Sequence, residues 1–190
     1  VLVPRPETEI LVQKVLEIFD KKKIRVLDLG TGSGAIGLSL AKERANWEVV
    51  CSDLSYEALK VTSKNMTRNA LDVSLVNSNW SSAFKNEYFD VIVSNPPYIN
   101  PSDPRVYSDG LKFEPKQALI SDSQGLYDIE RIVKETSEIL NNAGYLFIEH
   151  GYDQSDFVVS IFETCGFSQI RTFKDLNGDD RVCLGKLNRC

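Results

Sequence analysis

Apolar positions along this chain fall into two alternating periods. Over residues 7–19 they recur every three or four places, which predicts an amphipathic helix leading into a short apolar strand at 24–29. The exchange repeats: helix 34–44, strand 49–52, helix 56–69, strand 73–76, strand 90–94, helix 125–140, strand 144–149, helix 153–165. Gly166 stands where a helix C-cap belongs. Residues 167–173 and 181–185 read as a terminal strand pair joined by Asn177-Gly178-Asp179-Asp180, a run of turn formers that suggests an antiparallel hairpin. Strands alternating with helices predict an α/β domain, a doubly wound, mostly parallel sheet covered on both faces. No internal repeat and no low-complexity linker interrupts it, so residues 1–190 are expected to fold as one unit.

The run at 90–94 ends in Asn95-Pro96-Pro97-Tyr98. Open α/β sheets place ligands at the carboxyl ends of their strands. Two prolines fix φ at 96 and 97 and push the residue before each into extended backbone, so Asn95 and Pro96 are both held out of the helical region. The Asn95 side-chain oxygen and the Pro96 carbonyl can then point the same way. Two convergent acceptors suit a planar NH2 group: each takes one N–H while the nitrogen lone pair faces a third direction. A bare proline-rich turn would explain two prolines equally well, and the upstream glycines decide between the readings.

Residues 25–40 read as strand, glycine turn and helix, with Gly30, Gly32, Gly34 and Gly37 inside. Gly32, Gly34 and Gly37 match the dinucleotide spacing, and Asp53 follows at the distance of a ribose-binding acid. Asp28 argues against a pyrophosphate ligand, because a carboxylate at the mouth of the turn would repel it. S-adenosylmethionine carries an ammonium, a sulfonium and a carboxylate but no phosphate, and it suits an acid beside a glycine turn. The turn residues Thr31 and Ser33, with Leu54 after Asp53 and with Asn95, complete the expected donor site. Asp53 also precedes a helix it could cap, although Ser55 is the better placed cap.

Composition narrows the class. The chain has 190 residues, 42% of them hydrophobic, enough for one sizeable core. A net charge of −5 gives no long-range pull on a phosphate backbone, so nucleic acid is an unfavoured partner. No apolar run is long enough to span a bilayer and no signal peptide is visible, which suits a cytoplasmic enzyme and no membrane partner. Cys51, Cys165, Cys183 and Cys190 lack metal spacing, and His150 is the single histidine, so no metal site is expected. Lys21, Lys22 and Lys23 read as a solvated helix end.

Taken in order, the motifs Pro4-Arg5-Pro6-Glu7-Thr8-Glu9, the Asp28–Gly34 turn, Asp53, Trp80, Ser94-Asn95-Pro96-Pro97-Tyr98, Phe113-Glu114-Pro115, Glu149-His150-Gly151 and Asp180-Arg181-Val182 resemble the catalytic domain of the HemK/PrmC family of protein-(glutamine-N5) methyltransferases. The resemblance implies the class I methyltransferase fold, seven strands with one antiparallel. It implies S-adenosyl-L-methionine as donor, with S-adenosyl-L-homocysteine as product. It implies the glutamine of the Gly-Gly-Gln loop of peptide-chain release factors as substrate, and a small N-terminal helical docking domain that this chain, opening on Val1, does not contain. Trp80 is placed beside the adenine, where it could equally be a core residue. Asn79 stands where relatives commonly have an acid, and can still accept through its oxygen. The segment 5–8 is placed over the donor, with capping of the first helix by Thr8 as its simpler reading. Tyr98 would pack on the substrate amide, Glu114 would line the peptide entrance, and residues 100–112 would form a loop at the rim.

An amide nitrogen is a poor nucleophile, and catalysis here would come mainly from placement. Orientation of that kind contributes about 7–11 kcal/mol in the best cases. Acceptors on the two N–H groups also stabilise positive charge developing on nitrogen. Two other readings stand beside this one: an adenine-N6 or cytosine-N4 nucleic-acid methyltransferase, since a nucleobase also presents a planar NH2, and a donor-binding module without catalysis.

Overall fold

Seven strands form one sheet in the order β3-β2-β1-β4-β5-β7-β6. The structure, a computed structural model, describes residues 1–20, 23–84, 88–104 and 114–189. Lys21, Lys22, Phe113, Cys190 and most of the predicted rim loop, 105–112, lie outside the described residues. The strands are β1 (Arg25–Leu29), β2 (Glu48–Asp53), β3 (Ser74–Asn77), β4 (Phe89–Ser94), β5 (Leu140–Glu149), β6 (Phe167–Lys174) and β7 (Asp180–Leu187). Pairing is parallel from β3 through β5, and β7 runs antiparallel to both β5 and β6, which gives the expected single reversed strand.

The period-two pattern sorts the strands' side chains into two layers. Val26, Val49, Cys51, Val91, Val93 and Phe147 pack with α1 (Thr8–Ile18) and α2 (Ala35–Glu43) on one face. Leu27, Leu29, Val50, Ile92, Leu146 and Ile148 pack with α5 (Tyr127–Ile139) and α6 (Ser155–Thr164) on the other. Another helix, α3 (Tyr56–Arg68), follows Ser55, whose hydroxyl accepts from Ala58 N at 3.2 Å, so Ser55 is the cap.

Chain order reverses between β1 and β4, and this switch point positions the site. Leu29 pairs with Ser94, whose hydroxyl donates to the Leu29 carbonyl at 2.8 Å. Gly30 and Asn95 therefore leave adjacent strands side by side.

The predicted helix 125–140 is present as α5 (Tyr127–Ile139), two residues shorter at its start. A short turn, α4 (Asp122–Gly125), has Ser123 and Gln124 in left-handed backbone, and the regular helix begins only at Tyr127. Gly125 has φ +86, and a Cβ there would sit 2.1 Å from the Tyr98 carbonyl oxygen. The chain is thus bent to pass close under the residues that follow β4. β5 also starts earlier than expected, at Leu140, because the register shift between Phe89 and Val91 accommodates a bulge in which Ala143 has φ 65.

Candidate functional site

The carboxyl ends of β1, β2 and β4 open into a cavity of about 680 Å³, and a second, of about 800 Å³, lies beyond β4 and β5. Both volumes are within the roughly 300–1,000 Å³ typical of small-ligand sites. Asn95 lines both.

The smaller cavity is built on the glycine turn. Gly30, Thr31, Gly32 and Ser33 form its floor, with Asp53 and Leu54 on one side and Asn79 and Trp80 on the other. Gly30 and Gly32 have φ of +72 and +60, a region that a side chain would strain. A Cβ on Gly30 would also stand 3.1 Å from the Trp80 ring. Asp53 is held by two backbone donors, Gly32 N to Oδ2 at 2.9 Å and Ser55 N to Oδ1 at 2.8 Å. Each carboxylate oxygen keeps a further lone pair for a ligand. Trp80 has φ 47, a strained backbone for a bulky residue. It is held there by the Ser78 hydroxyl, which donates to its carbonyl at 2.8 Å, and by Ser81, whose hydroxyl donates to Glu135 at 2.7 Å.

Two expected members are absent from that wall. Asp28 is fully buried beneath the turn: its Oδ2 accepts from the Thr31 hydroxyl at 2.6 Å and from Gly37 N at 2.9 Å. Strand parity explains this, because Asp28 shares a face with Val26 and so points toward α2. Its Oδ1 is buried without a partner. Burial pushes its pKa from 3.8 up to about 6, against the pull of the Thr31 hydroxyl and the Gly37 N–H and with a further push from Asp53. Gly34 instead packs the turn onto its helices, since a Cβ there would meet Leu38 and Thr62, each at 2.8 Å.

Asn95 sits at the boundary of the two cavities, with Pro97 on the smaller and Pro96 and Tyr98 on the larger. The capping expectation for Thr8 fails: no side chain caps α1, and the buried Thr8 hydroxyl instead accepts from Asn95 Nδ2 at 3.1 Å. With its nitrogen committed to Thr8, Asn95 has its oxygen left to accept from a ligand. Glu114 lines neither cavity, because its carboxylate pairs with Arg5, tying the segment before α1 to the segment after residue 113.

Tyr98 apart, sequence reasoning assigned no chemistry to the larger cavity's buried polar wall. The Tyr98 hydroxyl donates to Glu149 Oε1 at 3.1 Å, while Glu149 Oε2 is buried without a hydrogen-bond partner. Burial pushes the Glu149 pKa up, and the Thr8 and Tyr98 hydroxyls and Arg181 beside it oppose the rise. Burial, aided by the Glu149 charge, also pushes the Tyr98 phenol up, so it stays a neutral donor. Arg181 is fixed by Asp175, which takes its Nη2 at 2.9 Å and Nε at 3.1 Å. Gln154 clamps the exit of the strand-end motif: Nε2 donates to the Tyr98 carbonyl at 3.0 Å and Oε1 accepts from Gly151 N at 2.8 Å. Burial lowers the pKa of His150, whose backbone N–H pairs with the Arg181 carbonyl at 2.9 Å. The signal for this wall was present as outlying motifs, Glu149-His150-Gly151 and Asp180-Arg181-Val182, that the fold brings together. Among the described residues no group of three metal-ligating side chains converges and no helix is long and apolar enough to cross a membrane.

Residues 6–108 match the methyltransferase small domain family. The release factor glutamine methyltransferase of Salmonella typhimurium is 40% identical over 186 residues, 97% of this chain and 67% of that protein. The proteins of that name from Buchnera aphidicola subsp. Schizaphis graminum and Escherichia coli are 45% and 37% identical, with the same coverage. Among solved structures, a methyltransferase from Pyrococcus furiosus superposes with a TM-score of 0.73 at 19% identity, covering 99% of this chain and 85% of that one. The Thermus thermophilus 16S rRNA N2 G1207 methyltransferase, solved with AdoMet and guanosine, gives 0.71 at 21% identity, covering 98% and 44%. At those identities the likeness is one of fold.

Proposed function

The chain belongs to the release factor glutamine methyltransferase family, and from that premise we propose that it moves a methyl group from S-adenosylmethionine to the side-chain amide nitrogen (N5) of the glutamine in the Gly-Gly-Gln motif of peptide-chain release factors. Residues 1–190 act as its catalytic domain, in the cytoplasm. The observation that carries the reading is Asn95, on the wall shared by two cavities, with Nδ2 engaged by Thr8 and Oδ1 left as an acceptor.

The smaller cavity suits the donor. Asp53, oriented by two backbone N–H groups, accepts from the ribose hydroxyls, Trp80 and Asn79 take the adenine, and the glycine backbone lets the methionine part approach closely. The orphaned Asp28 Oδ1 under the turn adds negative potential beneath the donor's ammonium. Bound donor supplies an electrophilic sulfonium methyl and a neutral leaving group.

Everything else is placement by this chain. Asn95 Oδ1 and the Pro96 carbonyl accept the two N–H bonds of the substrate amide, turn its lone pair toward the methyl, and stabilise the positive charge that grows on nitrogen. The Tyr98 ring, fixed through its hydroxyl on Glu149, packs on the planar amide and keeps water out. Once methylated the nitrogen is strongly acidic, so water takes its proton and no strong base is required.

Incubation with labelled donor and recombinant release factors, followed by mass spectrometry, tests the assignment. The mark should fall on the glutamine of Gly-Gly-Gln. A mark on adenine-N6 or cytosine-N4 of added nucleic acid instead would establish the nucleobase reading, and donor binding without any transfer would establish a non-catalytic module.

A further inference from the structure

Two prolines leave the strand-end motif short of backbone handles. Neither has an N–H, so positions 96 and 97 offer no donor by which the surroundings could fix the direction of the Pro96 carbonyl. Upstream the chain is held at Ser94, which pairs with Leu29, and at Asn95, whose Nδ2 donates to Thr8 at 3.1 Å. Downstream the Tyr98–Ile99 peptide unit is gripped at both ends. Its carbonyl accepts from Gln154 Nε2 at 3.0 Å, and its N–H donates to the Leu119 carbonyl at 2.9 Å. With φ fixed by the rings at 96 and 97, a span held at both ends has few torsions left to turn, and the Pro96 carbonyl is carried within it.

Gln154 is itself set for that grip. It stands at the start of α6 and is 7% exposed. Its NH2 serves two carbonyls, Tyr98 at 3.0 Å and Gln124 at 3.2 Å, and its oxygen takes Gly151 N at 2.8 Å. Two carbonyls on one side and an N–H on the other admit only this orientation of the amide. Glycines stand where a side chain would displace it: a Cβ on Gly125 would sit 2.8 Å from Nε2, and one on Gly151 would sit 2.9 Å from Oε1. The Gln124 carbonyl is brought to it by three successive residues in left-handed backbone, Ser123, Gln124 and Gly125, a conformation uncommon for residues with a side chain. Unusual backbone of this kind gathers at functional sites, and here it borders the larger cavity, which Gln124, Gln154 and Tyr98 all line. Gln154 does not line the smaller cavity. We propose that Gln154 is a positioning residue for methyl transfer: by gripping the Tyr98 carbonyl it fixes the Pro96 carbonyl and the Tyr98 ring against the substrate amide. The effect on rate rests on the function proposed above. The effect on the geometry of the motif does not.

Two variants of similar size separate the two halves of this amide. Gln154→Glu keeps an oxygen for Gly151 N but sets a carboxylate oxygen against the two carbonyls, and Gln154→Met removes the amide altogether. With labelled donor and a release factor under single turnover, both should slow transfer by about tenfold to a hundredfold, the range of a misplaced reacting group, with the Kd of S-adenosylhomocysteine within about twofold of wild type. Independently of activity, the ring signals of isotopically labelled Tyr98, identified by their loss in Tyr98→Phe, are followed by NMR without donor or substrate. They should shift in both variants. A folded variant of either kind with the wild-type rate would overturn the proposal. So would a rate loss matched by an equal loss of donor affinity, which would make Gln154 a residue of general packing, and so would failure of both variants to fold. Tyr98 signals that stay in place would overturn the grip itself. If the wild type transfers no methyl group to any release factor, the proposed function fails and the rate prediction with it, while the Tyr98 signals still decide the geometry.

Discussion

Replacing Asp28 with asparagine removes a charge held entirely out of solvent under the glycine turn, and the effect on stability follows from its titration. The carboxyl titrates near 3.8 in the unfolded chain and at about 6 in the folded protein, raised chiefly by burial. At roughly 1.4 kcal/mol per tenfold change in proton affinity, ionising it costs the folded state about 3 kcal/mol more than the unfolded one. Between those two values the folded protein binds more protons, so the Asp28 contribution to stability falls as pH rises from about 4 to about 6 and is flat above. An asparagine does not titrate. The test is denaturant unfolding of both proteins across that range. The wild type should gain about 3 kcal/mol relative to the variant on going from neutral pH to about pH 4, or about 6–12 °C in Tm for a chain of this size. Glu149 also titrates high, but it is present in both proteins and cancels in the difference. Curves that stay parallel from pH 4 to 7 would show that burial does not raise the Asp28 pKa, and the account of the turn would fail.

Two further substitutions probe the donor side. Trp80→Ala removes the plate beside Gly30 and should weaken S-adenosylhomocysteine binding by about 1–3 kcal/mol, the scale of base–aromatic stacking; calorimetry showing unchanged affinity would return Trp80 to a packing role. Gly37→Ala puts a Cβ 2.4 Å from Cys51 Sγ and 3.0 Å from Asp28 Oδ2. Overpacking should cost about 1–3 kcal/mol, read as a lower denaturant midpoint, with Cys51→Ala recovering part of it; an unchanged midpoint would mean the helix moves away freely.

The alternation of periods made the sheet legible, because strands such as β1 and β4 are buried on both faces and their helices on one. The break before Tyr127 was not, since Ser123 and Gln124 adopt left-handed backbone with no compositional signal, beside Gly125, which passes close to Tyr98 from a distant part of the chain. The layout of the site was readable where one short motif sets it, as at Asn95 and the glycine turn, which the fold brings to one cavity. It was not readable where chemistry depends on parity or on segments far apart. Asp28 looked like a wall residue until the strand's facing turned it toward Gly37. Thr8 looked like a helix cap, yet its partner is 87 positions away. Glu149 and Arg181 were visible as motifs without roles, because only the antiparallel pairing of β5 with β7 brings them together.

The central claim is that Asn95 works by orienting the substrate amide and not by holding the donor. The most direct measurement is the single-turnover methyl-transfer rate of Asn95→Ala on a release factor, alongside its donor Kd. The rate should fall by about a hundredfold or more, the scale of lost orientation, with Kd within about twofold of wild type. A rate close to wild type would contradict the account.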